Sequence, residues 1–542
     1  MQYSGGAEVI ILGRVRTQSA DLPVAQAIAV TNGMIAAVGG EEVLELRGPR
    51  TELIDLGDGV LMPGFIDAHI HAVMGGVTRA GCDLSEVHSI EGYRAIISRY
   101  AKSHDGLWVE GSGWYGDLFP GGFPTKEILD ELLPDRPAAF VSHDVHSLWV
   151  NTKALELGGI TRDTPDPEGG RISRGPDGEP TGQLMEHAMT LLSGVRPVID
   201  AAKMREGLVQ AQAYLHSLGV TAWQDALVGA AFGYPDIYDA YVSAADDTVL
   251  RSWVTGAQLW DGQSDPEPFI RRRDRARGKF RATAAKIILD GNCENLTAAV
   301  HEAYSGHPGE HGILQFDLEQ LQQGVSMLAA ADLDVHIHAV GDLAVTRSVD
   351  ALAPVVRPGH RHQIAHIDLV LEGDIQRMNQ FGIIANVSPL WARHDPVLVE
   401  TKLPLLTASQ QDRHFAYGSL WRAGIPVAFG SDWPVSTPDP IAGLHTAVNR
   451  TAAPDDPHAS DARSRHDPLL PNERLSLEAA LTAYTREAAR ASRLDARVGA
   501  IEVGKQADLV VLDRDPFEVE SEEIGSISVL RTFVEGETVF AR

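Results

Sequence analysis

The run Gly64-Phe65-Ile66-Asp67-Ala68-His69-Ile70-His71 places two imidazoles two residues apart at the end of an apolar stretch. On a β-strand, side chains at i and i+2 share a face. His69 and His71 can then reach one metal ion from a single rigid element, and neutral imidazole is a common ligand for zinc and similar divalent ions. A lone His-x-His carries little weight, so the reading depends on further ligands at comparable strand ends. Asp334-Val335-His336-Ile337-His338 supplies His338, with His336 on the same face but farther from the strand's C-terminal end. His366 ends the run from His362, 28 residues after His338, close to one βα unit of roughly 30 residues. Asp432 ends Val427-Ala428-Phe429-Gly430-Ser431-Asp432, 66 residues beyond His366, or about two such units. Lys286 lies in the apolar run Ala284 to Leu289, where an amine is costly without a partner. Carbamylation by carbon dioxide would turn it into a bridging carboxylate. Taken singly, each residue has a structural reading: Lys286 paired with Asp290, Asp432 capping the following helix, a histidine merely hydrogen-bonded. Together, His69, His71, Lys286, His338, His366 and Asp432 point to a metal site.

The elements that must position these residues read as alternating strands and helices. Val335–Ala339, His362–Ile367, Gly382–Val387 and Pro426–Asp432 read as strands, while Asp342–Leu352 and Leu371–Phe381 have helical periodicity. This βαβα order predicts a parallel sheet clad in helices. At this length the expected fold is α/β, a (β/α)8 TIM barrel over residues 62–491, with its site at the C-terminal ends of the strands. Both ends of the chain are β-rich. Val9–Leu12, Ala27–Val30, the turn Thr31-Asn32-Gly33 and Met34–Gly39 begin it, and Ala507–Asp513 and Val529–Phe540 end it. One small β-sandwich domain built from residues 1–61 and 492–542 is expected. The Ala-rich segment Leu475–Ala491 reads as one helix closing the barrel, and residues 452–472 as an exposed loop.

The chain has 542 residues, 44% apolar and 22% charged, as in ordinary globular proteins. A formal net charge of −28 argues against a nucleic-acid partner or an anionic membrane surface. Two cysteines are too few for a disulfide framework and suit a reducing cytoplasm. No signal peptide and no membrane-spanning run is apparent. The expected partner is a small-molecule substrate, with self-association into a homo-oligomer left open.

The chain resembles the amidohydrolase superfamily, in particular its amidohydrolase family 3 (YtcJ-like) branch. The likeness is carried by Leu61–His71, Asp144–Leu155, Lys286-Ile287-Ile288-Leu289-Asp290-Gly291, His338-Ala339-Val340-Gly341-Asp342, Ser431-Asp432-Trp433-Pro434 and Gly504–Leu512. It implies a barrel plus a β-sandwich from both termini. It also implies that His69, His71 and Asp432 bind the more buried of two metals, that a carboxylated Lys286 bridges them, and that His338 and His366 hold the second. The cofactor expected is a divalent metal, Zn2+ foremost, as one or two ions. Leu343 departs from the basic residue that relatives often carry after Gly-Asp, which bears on a substrate or helix contact.

The span from His71 to Lys286 is 215 residues, whereas three βα units need roughly 90. The excess predicts an inserted subdomain at about 108–186, sitting over the site. Trp114 and His146 there, and Trp391 and Trp433 near the barrel mouth, are candidate substrate-binding residues. Trp114 has core packing as its alternative; Trp391 and Trp433 have packing of the barrel rim. The expected chemistry is hydrolysis of a non-peptide C–N bond in an amide, N-substituted formamide or cyclic amide. A metal-activated water attacks, and Asp432 acts as general base and then acid. Two alternatives stand: a mononuclear aminohydrolase of a heterocyclic amine, against which Lys286 argues, and a non-catalytic regulatory relative.

Overall fold

The computed structural model describes residues 6–542, apart from Asp144, His146, Phe232, Gly233 and Ser460. Eight parallel strands form the centre: β1 (Phe65–Ile70), β2 (Val220–Val228), β3 (Trp253–Leu259), β4 (Phe280–Ile288), β5 (Asp334–Ala339), β6 (Gln363–His366), β7 (Ile384–Val387) and β8 (Val427–Phe429). They pair in chain order from β1 to β8. Beyond the last paired residues, β8 returns to β1. The Asp432 amide donates to the His69 carbonyl at 2.7 Å, and Gly430 lies directly against the His69 backbone. The sheet is therefore a near-closed (β/α)8 barrel, as the spacing predicts.

Both faces of a parallel barrel are covered, so its strands tolerate unbroken apolar runs. All nine residues of β2 and all six of β1 are buried. Outward-facing Val254, Phe280, Val335 and Ile364 pack with helix residues such as Leu208, Leu328, Val349 and Leu444. The floor of the barrel is filled differently. Ile66, Ala68, Ala222, Ile384 and Ala428 meet Ala488, Ala489, Leu494 and Val498 from the C-terminal helical segment. Above that plug lies a polar layer. Asn386 donates to Gln363 Oε1 (2.8 Å) and to the Ala68 carbonyl (2.7 Å), and Gln363 donates to Gln224 Oε1 (3.1 Å). Buried amides persist only when paired in this way.

The plug is not the single helix expected from Leu475 to Ala491. It breaks at Thr485 into Leu477–Tyr484 and Arg486–Ala491. Thr485 leaves helical geometry and its hydroxyl donates back to the Leu481 carbonyl at 2.6 Å. Competition of this kind is how a threonine ends a helix that composition favours. The 452–472 segment is likewise more ordered than a plain exposed loop: Ala452, Ala453, Ala459 and Leu469 are buried and Ala462–His466 is a short helix.

Strands from both ends of the chain join one seven-stranded sheet. In it Ala7–Arg16 lies beside Arg47–Pro63, and that strand beside Leu509–Leu512. Asn32 and Gly33 both take positive φ (50° and 71°) in the Val24–Thr31/Met34–Gly39 hairpin, the geometry that favours Asn-Gly turns. The strands of the expected β-sandwich are hydrogen-bonded in one order through both termini. The 17-residue strand Arg47–Pro63 runs through both halves, and the Met34 edge bridges to Gln506. Ile11, Ile28, Leu61, Leu509 and Phe533 fill the space between. A separate six-stranded sheet spans the insertion, from Cys82–Asp83 to Pro180–Glu186. It begins earlier than the expected residue 108 because Cys82 and Asp83 pair in parallel with Gly111 and Ser112. Among the described residues no helix is long and apolar enough to cross a membrane.

Burial pushes His216, His362 and His445 down to about 4. In an unfolded chain a histidine takes its proton near ~6.5. Between those values the unfolded state binds protons that the fold refuses, so stability is lost as pH falls through that window. Each group contributes on the order of a few kcal/mol. Thermal unfolding should show a clearly lower midpoint at pH 5 than at pH 7, and His216→Gln should narrow the gap. Equal midpoints for the parent protein would contradict this.

Candidate metal centre

The C-terminal ends of β1, β4, β5, β6 and β8 bring the candidate ligands together, at the mouth where barrels of this type carry their chemistry. His69, near the end of β1, turns its Nε2 toward Asp432 Oδ1 (3.4 Å) and Lys286 Nζ (3.4 Å). Its other ring nitrogen, Nδ1, lies 3.0 Å from His336 Nε2. His71 Nε2 is 3.0 Å from the same Asp432 oxygen. It gets there by a route the two-residue spacing does not supply. β1 stops at Ile70, and His71 is the residue that leads into the helix Ala72–Ala80, with its amide held by the Trp433 carbonyl at 2.9 Å. Among the described residues, His69, His366 and Asp432 each offer one ligand atom within 4.8 Å of the others. The His338 ring packs against that of His366 at 4.4 Å, while its Nε2 faces the Gly291 carbonyl at 3.2 Å and Asp290 Oδ1 at 3.7 Å.

Two of these residues hold strained backbones. His366 and Asp432 have φ of 76° and 57°, a left-handed region costly for residues with a Cβ. The Ile367 amide, bonded to the Ala339 carbonyl (3.0 Å), and the Asp432 amide, bonded to the His69 carbonyl, hold them there. Asp67 adds a second tie: one carboxylate oxygen accepts from the His69 and Ser431 amides, each at 3.1 Å. Burial lifts Asp67 to about 7, against those hydrogen bonds.

The electrostatics favour neutral donors. Burial pushes His69, His336 and His366 well below the usual histidine range, with Lys286 nearby adding to the effect. His338 falls to about 4, again mainly through burial. Burial brings the Lys286 amine down to about 8, partly offset by Asp432 and Asp225. Neutral imidazoles whose Nε2 atoms crowd around a carboxylate, His69 at 3.4 Å and His71 at 3.0 Å from Asp432 Oδ1, form a donor set that fits a divalent cation.

Five of the six residues read from sequence, His69, His71, Lys286, His366 and Asp432, share one cluster, and His338 borders it through His366. Lys286 approaches His69, and Asp290 is occupied elsewhere, accepting from the amides of Ala299, Val340 and Gly341. Trp391 stacks on His366, with centroids 5.5 Å apart and planes 7° from parallel, and donates to Ser436 Oγ. Trp433 is 6% exposed, covers Gly75 and leans on Tyr214. The structure places Trp114 in the interior of the insertion and not at the barrel mouth. It packs on Phe119 and Trp149 and donates to the Phe140 carbonyl, so its bulk serves that core. His146 lies outside the described residues. Sequence reasoning passed over Asp225, whose carboxylate takes the Tyr241 hydroxyl at 2.6 Å and sits near His71.

An eight-stranded parallel barrel with imidazoles, a lysine and a carboxylate gathered at its C-terminal mouth has the make-up of a metal-dependent hydrolase. The chain belongs to the amidohydrolase family, whose model matches residues 52–540. It is 30% identical to Protein LONG AFTER FAR-RED 3 of Arabidopsis thaliana, over 97% of this chain and 90% of that protein. It is 28% identical to the N-substituted formamide deformylase of Arthrobacter pascens, over 97% of each. The solved structure of an uncharacterized metal-dependent hydrolase from Pyrococcus horikoshii OT3 shares the fold, with a TM-score of 0.74 at 24% identity, covering 95% of this chain and 99% of that one.

Gly430 tests the geometry. A Cβ there would stand 2.5 Å from His69 Cβ and 2.6 Å from its amide nitrogen, so either the β1 or the β8 end must move. Purified Gly430→Val should carry well under half of the parent's bound metal while keeping barrel-like circular dichroism. Parent-level metal content would contradict the placement of these strand ends.

Proposed function

We propose that this protein hydrolyses a non-peptide C–N bond in an amide, N-substituted formamide or cyclic amide, at a divalent-metal centre of one or two ions, Zn2+ foremost. The observation that carries the reading is the convergence of His69, His366 and Asp432 within 4.8 Å at the barrel mouth. The family membership and the deformylase relative support the bond type. A divalent ion held there would supply Lewis acidity to a substrate carbonyl and lower the pKa of a water toward ~7.

In this reading His69, His71 and Asp432 would hold one ion, since both histidine Nε2 atoms face that carboxylate. Lys286, if carboxylated, would add a carboxylate to the ligand set, and His366 and His338 would help hold a second ion. The Nε2 of His338 faces the Gly291 carbonyl at 3.2 Å. Asp432 is the proton carrier: its carboxylate accepts a proton from the attacking water and returns it to the leaving nitrogen. Trp391, flat against His366, offers one wall for the substrate, and Trp433 backs the mouth from beneath. The mononuclear aminohydrolase alternative has no use for Lys286 beside His69.

Asp432→Asn should keep most bound metal and lose about 10²–10⁴-fold in kcat on whichever substrate an amide, formamide and lactam screen identifies. Undiminished turnover would remove Asp432 from the proton path. Lys286→Ala should lower the metal content by about one ion per chain in a preparation that binds two. An unchanged two-ion stoichiometry would rule out the lysine bridge.

A further inference from the structure

We propose that His336 is a positioning residue for the metal centre: its Nε2 accepts the Nδ1–H of His69 and so locks that ring with Nε2 facing the ion. The inference rests on the metal-centre reading above and goes beyond its ligand set.

His336 is fully buried in the middle of β5, with its Cα in register with Lys286 of β4 and Gln363 of β6. It shares a strand face with His338 but sits one layer deeper. From there its Nε2 reaches His69 Nδ1 at 3.0 Å, the rings meeting edge to face at 72°. His69 turns its opposite nitrogen to Asp432 and Lys286. The two ends of this imidazole therefore have separate tasks, one toward the ion and one toward His336.

The proton count fixes the direction of the contact. A neutral imidazole that gives its Nε2 lone pair to a metal carries its proton on Nδ1. That N–H requires an acceptor, and metal-bound histidines generally find one in a carboxylate, a carbonyl or water. In this chain the atom opposite His69 Nδ1 is a histidine nitrogen. It can accept only if His336 is neutral with its own proton on Nδ1, an atom that is buried and has no hydrogen-bond partner among the described residues. The reverse arrangement, with His336 Nε2–H donating, would put the His69 proton on Nε2 and block the lone pair the ion needs. The ligand and its support are thus a matched tautomer pair, and the unpaired Nδ1–H of His336 is the cost of that match.

The test is Zn2+ affinity of the metal-stripped full-length protein by chelator competition, together with the visible spectrum of the Co2+-loaded form. His336→Phe should bind Zn2+ about 10–100-fold more weakly and alter the Co2+ bands, while His336→Gln, whose Oε1 can accept in place of Nε2, should recover affinity to within about threefold. Parent-like Zn2+ affinity in His336→Phe would overturn the proposal, as would a His336→Gln protein as weak as His336→Phe. If His336→Phe does not fold, ring ¹⁵N NMR of the Zn2+-loaded parent decides: a proton on Nδ1 of His336 supports the assignment, and a proton on Nε2 overturns it. A parent chain that binds no divalent ion would sink the metal-centre reading itself, a result distinct from a variant that merely matches a metal-binding parent.

Discussion

The closure of β8 onto β1 is the constraint on which the rest of the molecule depends. A parallel barrel can seal only if the last strand end approaches the first closely, and here the approach is backbone to backbone. The Asp432 amide reaches the His69 carbonyl, and Gly430 leaves no side chain between them. Asp67 pins the same seam from the side through the His69 and Ser431 amides. One joint thereby completes the fold and sets a carboxylate against two imidazoles. The left-handed backbones of His366 and Asp432 are tolerated because such ties over-determine them.

Burial then does the chemical work. The barrel mouth excludes enough water that its histidines are driven toward neutrality and its lysine toward the free amine. Neutral donors are what a cation requires, and a buried cluster of them without an ion would leave lone pairs unpaired in a dry space. The polar layer of Asn386, Gln363 and Gln224 below and the alanine-rich plug beneath it keep that space rigid.

Much of this was legible in the residues. The βα spacing between His338 and His366 reflects adjacent strands, and the excess length before Lys286 reflects the inserted sheet. The Asn-Gly hairpin and the helix Asp342–Leu352 follow directly from turn chemistry and periodicity. What was not legible depended on contacts distant in sequence. His71 lies beyond its strand yet reaches Asp432 because the Trp433 carbonyl holds its amide. The helix break at Thr485 is a local hydroxyl winning over an Ala-rich composition. Trp114 looked like a pocket residue because aromatic type alone does not tell an inserted core from a barrel mouth. His336 shared the strand face of His338, and only the three-dimensional position of His69 distinguishes a support from a ligand.

The central claim is that cations are held between His69, His366 and Asp432. Anomalous X-ray diffraction from crystals of the purified protein, recorded on both sides of the zinc absorption edge, addresses it directly. The account predicts a strong edge-dependent peak within coordination distance of those three side chains. Absence of such a peak in zinc-supplemented crystals, or a peak confined to another part of the molecule, would contradict it.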